Sequence, residues 1–434
     1  METKKVAFLT LGCKTNQYET NGMMQKFEEA GYKICNIEEN PDIFVVNTCT
    51  VTNIADRKSR QALRKIKEKN TIIVACGCYA QVAKDKLKQM EEIDIILGNK
   101  EKKDIVKYVE QYINEKNEQQ LKQRHISDIS KQKEYDEYGC VTYTEKARTT
   151  IKIQDGCNNF CTYCLIPYAR GRIRSRKKEN VIKEAEYIAK HGIKEIVLTG
   201  IHIASYGKDW EEKYKLIDLL EDLNKVEGIE RIRLGSLEPT IITDEFVERL
   251  SKIEKICDHF HLSLQSGCDE TLKRMNRKYT TEEFRKVTKR LRTKFKNVNL
   301  TTDIIVGFPG ETEEEFFTTY EFLKEIAFYK MHIFKYSKRD GTVAAKMPNQ
   351  VDGKIAEERS KKLIELSNKN ELKYNNKYVG KTLKVLFEEK QGDYWIGHTT
   401  NYIVVKLKSK ENLENKIVEV TIKKSSQEEL IAEM

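Results

Sequence analysis

The chain has 434 residues, of which 39% are apolar, 34% are charged and only five are proline; at roughly 150 residues per domain this gives about three domains. That composition excludes a collagen-like chain, a proline-rich linker protein and a fully disordered tail. Lys plus Arg number 78 against 68 acidic residues, a net charge of +10, which permits a polyanionic partner without requiring one.

Residues 1–100 alternate apolar runs with amphipathic stretches. KVAFLTLG (5–12), IFVVNTC (43–49), TIIVACG (71–77) and IDIILG (93–98) read as strands, separated by helical patterns such as QYETNGMMQKFEEAG and ADRKSRQALRKIKEK. Strands that are apolar almost throughout predict an open parallel α/β sheet covered on both faces, here over residues 1–115. No GxGxxG opens it, so there is no dinucleotide fingerprint. Residues 116–144 are charged and weakly patterned and read as a linker.

A second α/β run follows over 145–370. Its strands are TTIKIQDG, EIVLTG, RIRLGS, HFHLSL, LTTDIIVGF and YKMHIFKYS, with helical patterns between them and a charged helical connector over 353–376. Six β/α units predict a partial barrel, fewer than a closed eight-stranded barrel needs, with a lateral mouth. Residues 371–434 carry short alternating runs, KTLKVLFEEK, DYWIGHTTNYIVVKLK and KIVEVTIKK, which predict a small antiparallel β-barrel. TIIVACGCYA is far short of the ~20 apolar residues of a membrane span. The first residues lack a signal-peptide pattern, so a cytoplasmic protein is expected.

Eleven cysteines in such a chain are better read as metal ligands or nucleophiles than as a disulfide scaffold. Cys157, Cys161 and Cys164 stand in C-x3-C-x2-C spacing within IQDGCNNFCTYCLIP. No fourth ligand follows at zinc-finger spacing. Three thiolates on a four-iron cube leave one iron open to an external molecule; the bland alternative is a structural metal knot. Cys13, Cys49 and Cys78 each fall at the carboxyl end of a predicted parallel strand, the edge where open α/β sheets bind ligands. They read either as a second ligand set or as buried thiols, with Cys76 a rival for Cys78. Cys35, Cys140, Cys257 and Cys268 read as small hydrophobes.

The C-x3-C-x2-C motif on a partial barrel resembles the radical S-adenosylmethionine superfamily. That resemblance implies a cluster on Cys157, Cys161 and Cys164 whose open iron chelates S-adenosyl-L-methionine, one electron then yielding a 5′-deoxyadenosyl radical. It places Tyr163 along the adenine. TLGCKTNQYET, VVNTCTVTNIADRKSR, GCYAQ, RGRIRSR, SLEP, HLSLQSG, MNRKY and IVGFPGET are similar to the methylthiotransferase family over nearly the whole chain. This likeness implies a second 4Fe–4S cluster on Cys13, Cys49 and Cys78 that delivers sulfur, and a C-terminal RNA-binding TRAM domain. It matches Gly200 to the region that binds the cofactor's amino group, though TG there departs from the GGE common in the superfamily; Glu238, Gln265, Asp303 and Gly307, on later strands or at their ends, read as further cofactor contacts or, like Gly200, as ordinary strand-end turn residues. Asn16 and Asn47 stand near the second cysteine set as donors to sulfur or substrate, or as local caps.

Arg170, Arg172, Arg174 and Arg176 follow the first cysteine motif directly, and residues 141–180 hold nine basic and three acidic side chains. Beside a reaction site this stretch is expected to grip RNA phosphates or a substrate carboxylate. Residues 371–434 hold eleven basic and ten acidic side chains, so any RNA contact there depends on arrangement. Phe387, Tyr394, Trp395 and Tyr402 are stacking candidates or core.

The family resemblance implies transfer of a methylthio group to C2 of N6-threonylcarbamoyladenosine at position 37 of tRNA. Its other branches act on isopentenyladenosine in tRNA or on a ribosomal-protein aspartate. A small donor such as flavodoxin or ferredoxin would supply electrons, and a monomer is expected. Rival classes are a non-catalytic iron–sulfur electron carrier and a pure RNA-binding protein.

Overall fold

The computed structural model describes residues 3–65, 70–115, 123–141 and 147–433. Six parallel strands open the chain: β1 (Lys5–Thr10), β2 (Lys33–Cys35), β3 (Ile43–Thr48), β4 (Ile72–Gly77), β5 (Ile95–Leu97) and β6 (Gln123–His125). Their order is β2-β1-β3-β4-β5-β6. Every residue of β3 and β4 is buried, because cores lie on both faces: Val6, Val45 and Val74 pack on one side, Phe44, Val46 and Ile73 on the other. The four apolar runs become β1, β3, β4 and β5. The strands β2 (KIC) and β6 (QRH) escape notice because three residues at a sheet edge are too few to carry a periodicity.

The expected linker needs correcting. Strand β6 lies inside it, and Tyr138 and Val141 are buried in the same core as Tyr18 and Phe27. Residues 116–122 and 142–146 of that stretch lie outside the described residues.

The second unit holds β7 (Arg148–Asp155), β8 (Arg174–Ser175), β9 (Glu195–Gly200), β10 (Arg231–Leu234), β11 (His259–Gln265), β12 (Asn299–Val306) and β13 (Lys330–Lys335). β7-β9-β10 and β11-β12-β13 are parallel sets, joined by bridges at Ile232–Ile256 and Leu237–Leu262; β8 pairs antiparallel to β7. Intervening helices include Lys178–Lys190, Leu216–Asn224, Asp244–Leu250, Thr281–Lys294 and Glu313–Ile326. Thr280 with Glu283, and Thr312 with Glu315, start the last two with reciprocal capping boxes.

One large core joins these helices to Ile151, Ile153, Ile196, Leu198, Ile232, Leu234, Leu262, Leu264, Ile304 and Val306. Side chains alternate along a strand. The inner wall of the partial barrel therefore carries the intervening residues, most of them polar: Lys152, Gln154, Glu195, Thr199, Arg231, Arg233, His259, His261, Thr301, Asp303 and His332.

β7, flanked outside only by the two-residue β8, and β13 are the outermost parallel strands of this array, and the N-terminal unit reaches both. Glu19, on the helix Lys14–Glu29, pairs with Lys152 of β7 at 2.7 Å. Beyond β13, Arg339 pairs with Asp56 at 2.8 Å and donates to Thr50 and Asn53. The lateral mouth expected from six strands is thus spanned by the first unit.

After the helix Gly353–Asn375, five strands close a barrel in the order β14-β15-β16-β18-β17: β14 (Thr382–Gln391), β15 (Tyr394–Thr399), β16 (Val404–Lys408), β17 (Ile417–Ser425) and β18 (Leu430–Glu433). All pairs are antiparallel except β16 with β18. This barrel seals the amino-terminal end of the central lumen. Arg231 donates to the carbonyls of His398 and Lys384, Arg233 to that of Thr400, and Asn299 to that of Asn401. Phe387 and Trp395 are core of the small barrel. Tyr402 lies over the Arg233 guanidinium at 4.5 Å, so it serves the junction; of the four stacking candidates Tyr394 is exposed at 37%.

Candidate active site

Cys157, Cys161 and Cys164 sit on the loop between β7 and the short helix Ile166–Arg170. The loop is pinned from outside: Thr162 N–H donates to the Met275 carbonyl and Asn276 donates to that of Phe160. Backbone N–H groups of Asn159 and Ile166 point at Cys157 and Cys164 Sγ at 3.5 and 3.4 Å. Arg277 Nη1 donates to Cys161 Sγ at 3.1 Å. Burial pushes the Cys157 thiol up to about 11 and that of Cys164 to about 12, so cluster binding must displace protons.

Glu238 braces the same loop. It accepts from Asn159 at 3.0 Å and His202 at 3.0 Å, and it pairs with Arg277 at 3.4 Å. Burial would raise its carboxyl, but the His202 hydrogen bond and the His202 and Arg277 charges outweigh that and hold it at about 2. With both oxygens engaged, Glu238 positions Arg277 and the cysteine loop.

Cys13, Cys49 and Cys78 lie just beyond β1, β3 and β4, and the Cys13 and Cys78 thiols are charge neighbours of Cys49. Burial raises the Cys49 thiol to about 11. A Cβ on Gly12, whose φ is +102°, would stand 2.6 Å from Cys49 Sγ, so only glycine leaves room there. Arg170 Nε donates to Cys78 Sγ at 3.2 Å. The alternative, Cys76, lies within β4, fully buried in the core with Val6 and Tyr18, its Sγ 3.7 Å from the Val46 carbonyl. Each cysteine set is thus three thiols with an arginine donor on one sulfur, a soft donor set that fits an iron–sulfur cluster with a hydrogen-bonded sulfur.

The arginine-rich stretch is corrected by its burial. Arg170, Arg174 and Arg176 are at most 1% exposed. Arg170 pairs with Glu19 and Asp155, Arg176 with Glu184 and Glu137, and Arg174 donates to the carbonyls of Arg170 and Arg172. Their charges are spent inside the protein, joining its first two units, and cannot form an RNA-facing patch. Arg172 alone of the four is exposed, with its guanidinium 4.6 Å from the centre of the Phe160 ring.

The expected cofactor contacts divide. Tyr163 packs edge-on to Phe308 beside Cys164. Gly200 closes β9 where a Cβ would meet the Gln154 carbonyl at 2.9 Å. Gln265 holds φ +72° at the end of β11, a left-handed conformation that a side-chain-bearing residue keeps only when its surroundings impose it. Gly307 departs from expectation: the space a Cβ would take is filled by Ala356 Cβ at 2.7 Å, so its bareness serves the packing of the helix Gly353–Asn375. Asp303 lies on the inner wall of β12, paired with His261 at 3.1 Å.

Sequence reasoning missed Arg277, although it stands in the quoted MNRKY, and also His202 and Asn159, which hold Glu238. It missed Asn99 too, which donates to Cys78 Sγ at 3.7 Å and to the Ala169 carbonyl at 2.7 Å. Asn16 and Asn47 bond chiefly to one another's surroundings: Asn16 to the carbonyls of Leu11 and Thr48, Asn47 to the Asn16 carbonyl and Thr20.

Residues 151–323 match the Radical SAM superfamily, and residues 5–98 match a family described as Uncharacterized protein family UPF0004. The chain is 44% identical to the threonylcarbamoyladenosine tRNA methylthiotransferase MtaB of Bacillus subtilis (strain 168), covering 97% of this chain and 94% of that one. It is 35% identical to the tRNA-2-methylthio-N(6)-dimethylallyladenosine synthase of Alkaliphilus oremlandii (strain OhILAs), covering 97% and 90%. Among solved structures, the radical S-adenosylmethionine methyltransferase TsrM of Kitasatospora setae aligns with a TM-score of 0.57 at 13% identity, over 77% of this chain and 75% of that one. That last likeness is one of fold alone.

Proposed function

We propose that this chain, which belongs to the radical S-adenosylmethionine methylthiotransferase family, places a methylthio group on C2 of N6-threonylcarbamoyladenosine at position 37 of tRNA. The enzyme class follows from the family; its cofactors are S-adenosyl-L-methionine and two 4Fe–4S clusters. When bound, these supply the methyl group, the radical and the sulfur. In the proposed arrangement Cys157, Cys161 and Cys164 hold one cluster and Cys13, Cys49 and Cys78 the other. Arg277 and Arg170 each donate to one sulfur, Glu238 keeps Arg277 in place, and the polar inner wall receives the base. A base in an anticodon loop is already single-stranded and is splayed into such a site at little cost.

The observation that carries the choice of substrate is the identity margin between relatives. Those named for threonylcarbamoyladenosine exceed those named for dimethylallyladenosine over nearly the same length of chain. Mass spectrometry of tRNA nucleosides from cells lacking the gene, and from cells complemented with it, tests the reading. The expected result is loss of 2-methylthio-threonylcarbamoyladenosine with its unthiolated precursor accumulating, restored by wild type and not by Cys157→Ala. A change confined to the dimethylallyl nucleoside would overturn the substrate.

A further inference from the structure

The inner wall holds a cluster that neither cysteine set uses. His261 on β11, Asp303 on β12 and His332 on β13 stand on three adjacent strands, with ligand atoms all within 4.8 Å of one another. They are preorganised by a row of hydrogen bonds. His259 Nε2 lies 3.1 Å from Thr301 Oγ1, Thr301 Oγ1 lies 3.0 Å from His261 Nδ1, and His261 Nε2 lies 3.1 Å from Asp303 Oδ2. The His332 ring is 5.7 Å from that of His261, centre to centre.

The cluster is open rather than packed away: the Asp303 side chain is 30% exposed. Its location ties it to the chemistry. Arg277, which donates to Cys161 Sγ, also reaches the Ser263 carbonyl at 3.4 Å. His261 is two residues back along the same strand, about 7 Å by strand rise, and on the same face. On the other side, His259 has Lys14, the residue after Cys13, among its charge neighbours. The cluster thus lies on the inner wall, with His261 on the strand that carries the Ser263 carbonyl reached by Arg277.

We propose that His261, Asp303 and His332 form the subsite that reads the amino-acid side chain carried by the substrate adenine. This rests on the threonylcarbamoyladenosine reading. The threonylcarbamoyl group brings a carboxylate, a hydroxyl and urea N–H groups. His332 supplies an imidazole donor for the carboxylate, His261, with both ring nitrogens engaged by Thr301 and Asp303, orients Asp303, and Asp303 accepts from the hydroxyl or an N–H. This moves Asp303 from the cofactor to the substrate. A dimethylallyl group would offer nothing to His332 or to the Asp303 oxygen that His261 does not engage, leaving both desolvated without a ligand partner, and sites built to hydrogen-bond a ligand reject analogues lacking the partner strongly. Unlike the buried arginines Arg170, Arg174 and Arg176, these side chains are open to a substrate carboxylate.

The test uses cluster-loaded enzyme and anticodon stem-loop RNAs carrying threonylcarbamoyladenosine, unmodified adenosine or dimethylallyladenosine, with affinities read by fluorescence anisotropy without oxygen. Wild type is expected to prefer the threonylcarbamoyl RNA over the unmodified one by about tenfold or more. His332→Ala and Asp303→Asn are each expected to bring that ratio close to one while iron content and affinity for unmodified RNA stay at the wild-type level. His332 is an exposed strand residue, so its variant decides the matter should Asp303→Asn fold poorly. Variants that keep the wild-type ratio overturn the subsite and leave the substrate reading intact. A wild type that prefers dimethylallyl RNA overturns the substrate reading itself. One tightly held divalent ion per chain, lost in His332→Ala, would overturn the subsite in favour of a metal centre.

Discussion

Arg170 Nε stands 3.2 Å from Cys78 Sγ, and the same guanidinium reaches Asp155 at 3.2 Å and Asn16 Oδ1 at 2.5 Å. Arg170 ends the helix Ile166–Arg170, which begins two residues after Cys164. One five-residue helix, about 7.5 Å long by its rise, therefore starts two residues beyond a cysteine of one set and ends on the donor to the other set. Around it, Glu19 gathers Arg170, Lys102 and Lys152, all but completely buried. The spacing of the two cysteine sets is fixed by charges that have no water to fall back on.

Arg170→Met keeps volume and removes the charge and the fork. It leaves Glu19 and Asp155 short of a cation, and loss of one partner from a buried network costs about 3–5 kcal/mol. We expect a lower urea midpoint and iron content reduced to roughly half, with the set at Cys78 failing first. Arg170→Lys is expected to resemble Arg170→Met more than wild type, because an ammonium cannot reach Cys78, Asn16 and Glu19 together. Iron at the wild-type level in both variants would show that Arg170 does not support the Cys78 set.

Arg277→Gln removes the cationic donor at Cys161. A hydrogen bond to a cluster sulfur favours the reduced, more negative state, so its loss is expected to lower the reduction potential of that cluster. Cleavage of S-adenosylmethionine is expected to slow by on the order of tenfold. Potentiometric titration followed by electron paramagnetic resonance checks the first, and 5′-deoxyadenosine release the second. An unchanged potential with slowed cleavage would mean that Arg277 acts only by holding Glu238.

The sequence was most legible where one period ran long. LIDLLEDLN is the helix Leu216–Asn224, and all six barrel strands appear where apolar runs predict them. The short strands β2 and β6 were not, since three residues at an edge give no pattern to count. Cys157, Cys161 and Cys164 were visible because their spacing is local. The arginines were misread for the same reason: four in seven residues look like a charged surface. Their partners, Glu19, Glu137, Asp155 and Glu184, are mostly remote in sequence, so burial is decided by tertiary contacts that no local window contains. The inner wall was hidden too, because His261, Asp303 and His332 meet only when three strands come into register.

Gly12→Ala is a minimal insult to the second cysteine set. The added methyl would lie 2.6 Å from Cys49 Sγ and 2.8 Å from its Cβ, at a φ of +102° that disfavours alanine. Backbone strain and overpacking together are expected to cost about 1–3 kcal/mol. The chain should fold, keep the Cys157 set and still cleave S-adenosylmethionine, but lose methylthiolation. Iron per chain and product nucleosides measured side by side check this; full methylthiolation would mean that Cys49 can move aside.

Acid should loosen the joint between the first two units through Glu19. Burial works to raise its carboxyl, but the charges of Arg170, Lys102 and Lys152 outweigh it and hold Glu19 well below its ordinary 4.5. Asp155 is lowered in the same way, burial being outweighed by Lys152, Arg170 and Arg174. With folded values below unfolded ones, the unfolded chain binds more protons in the interval between them, and stability rises with pH across it. The contribution is complete above the ordinary carboxylate range and is lost as pH falls below about 4.5 toward the folded values. Glu19→Gln removes the titrating group and is expected to be less stable than wild type by about 3–5 kcal/mol at neutral pH. That gap should shrink as the pH is taken down through the carboxylate range, because only wild type has the Glu19 linkage to lose, that of Asp155 being present in both. Urea unfolding of both proteins at a series of pH values reads it directly, and a gap that stays constant would show that Glu19 is not the group through which acid acts.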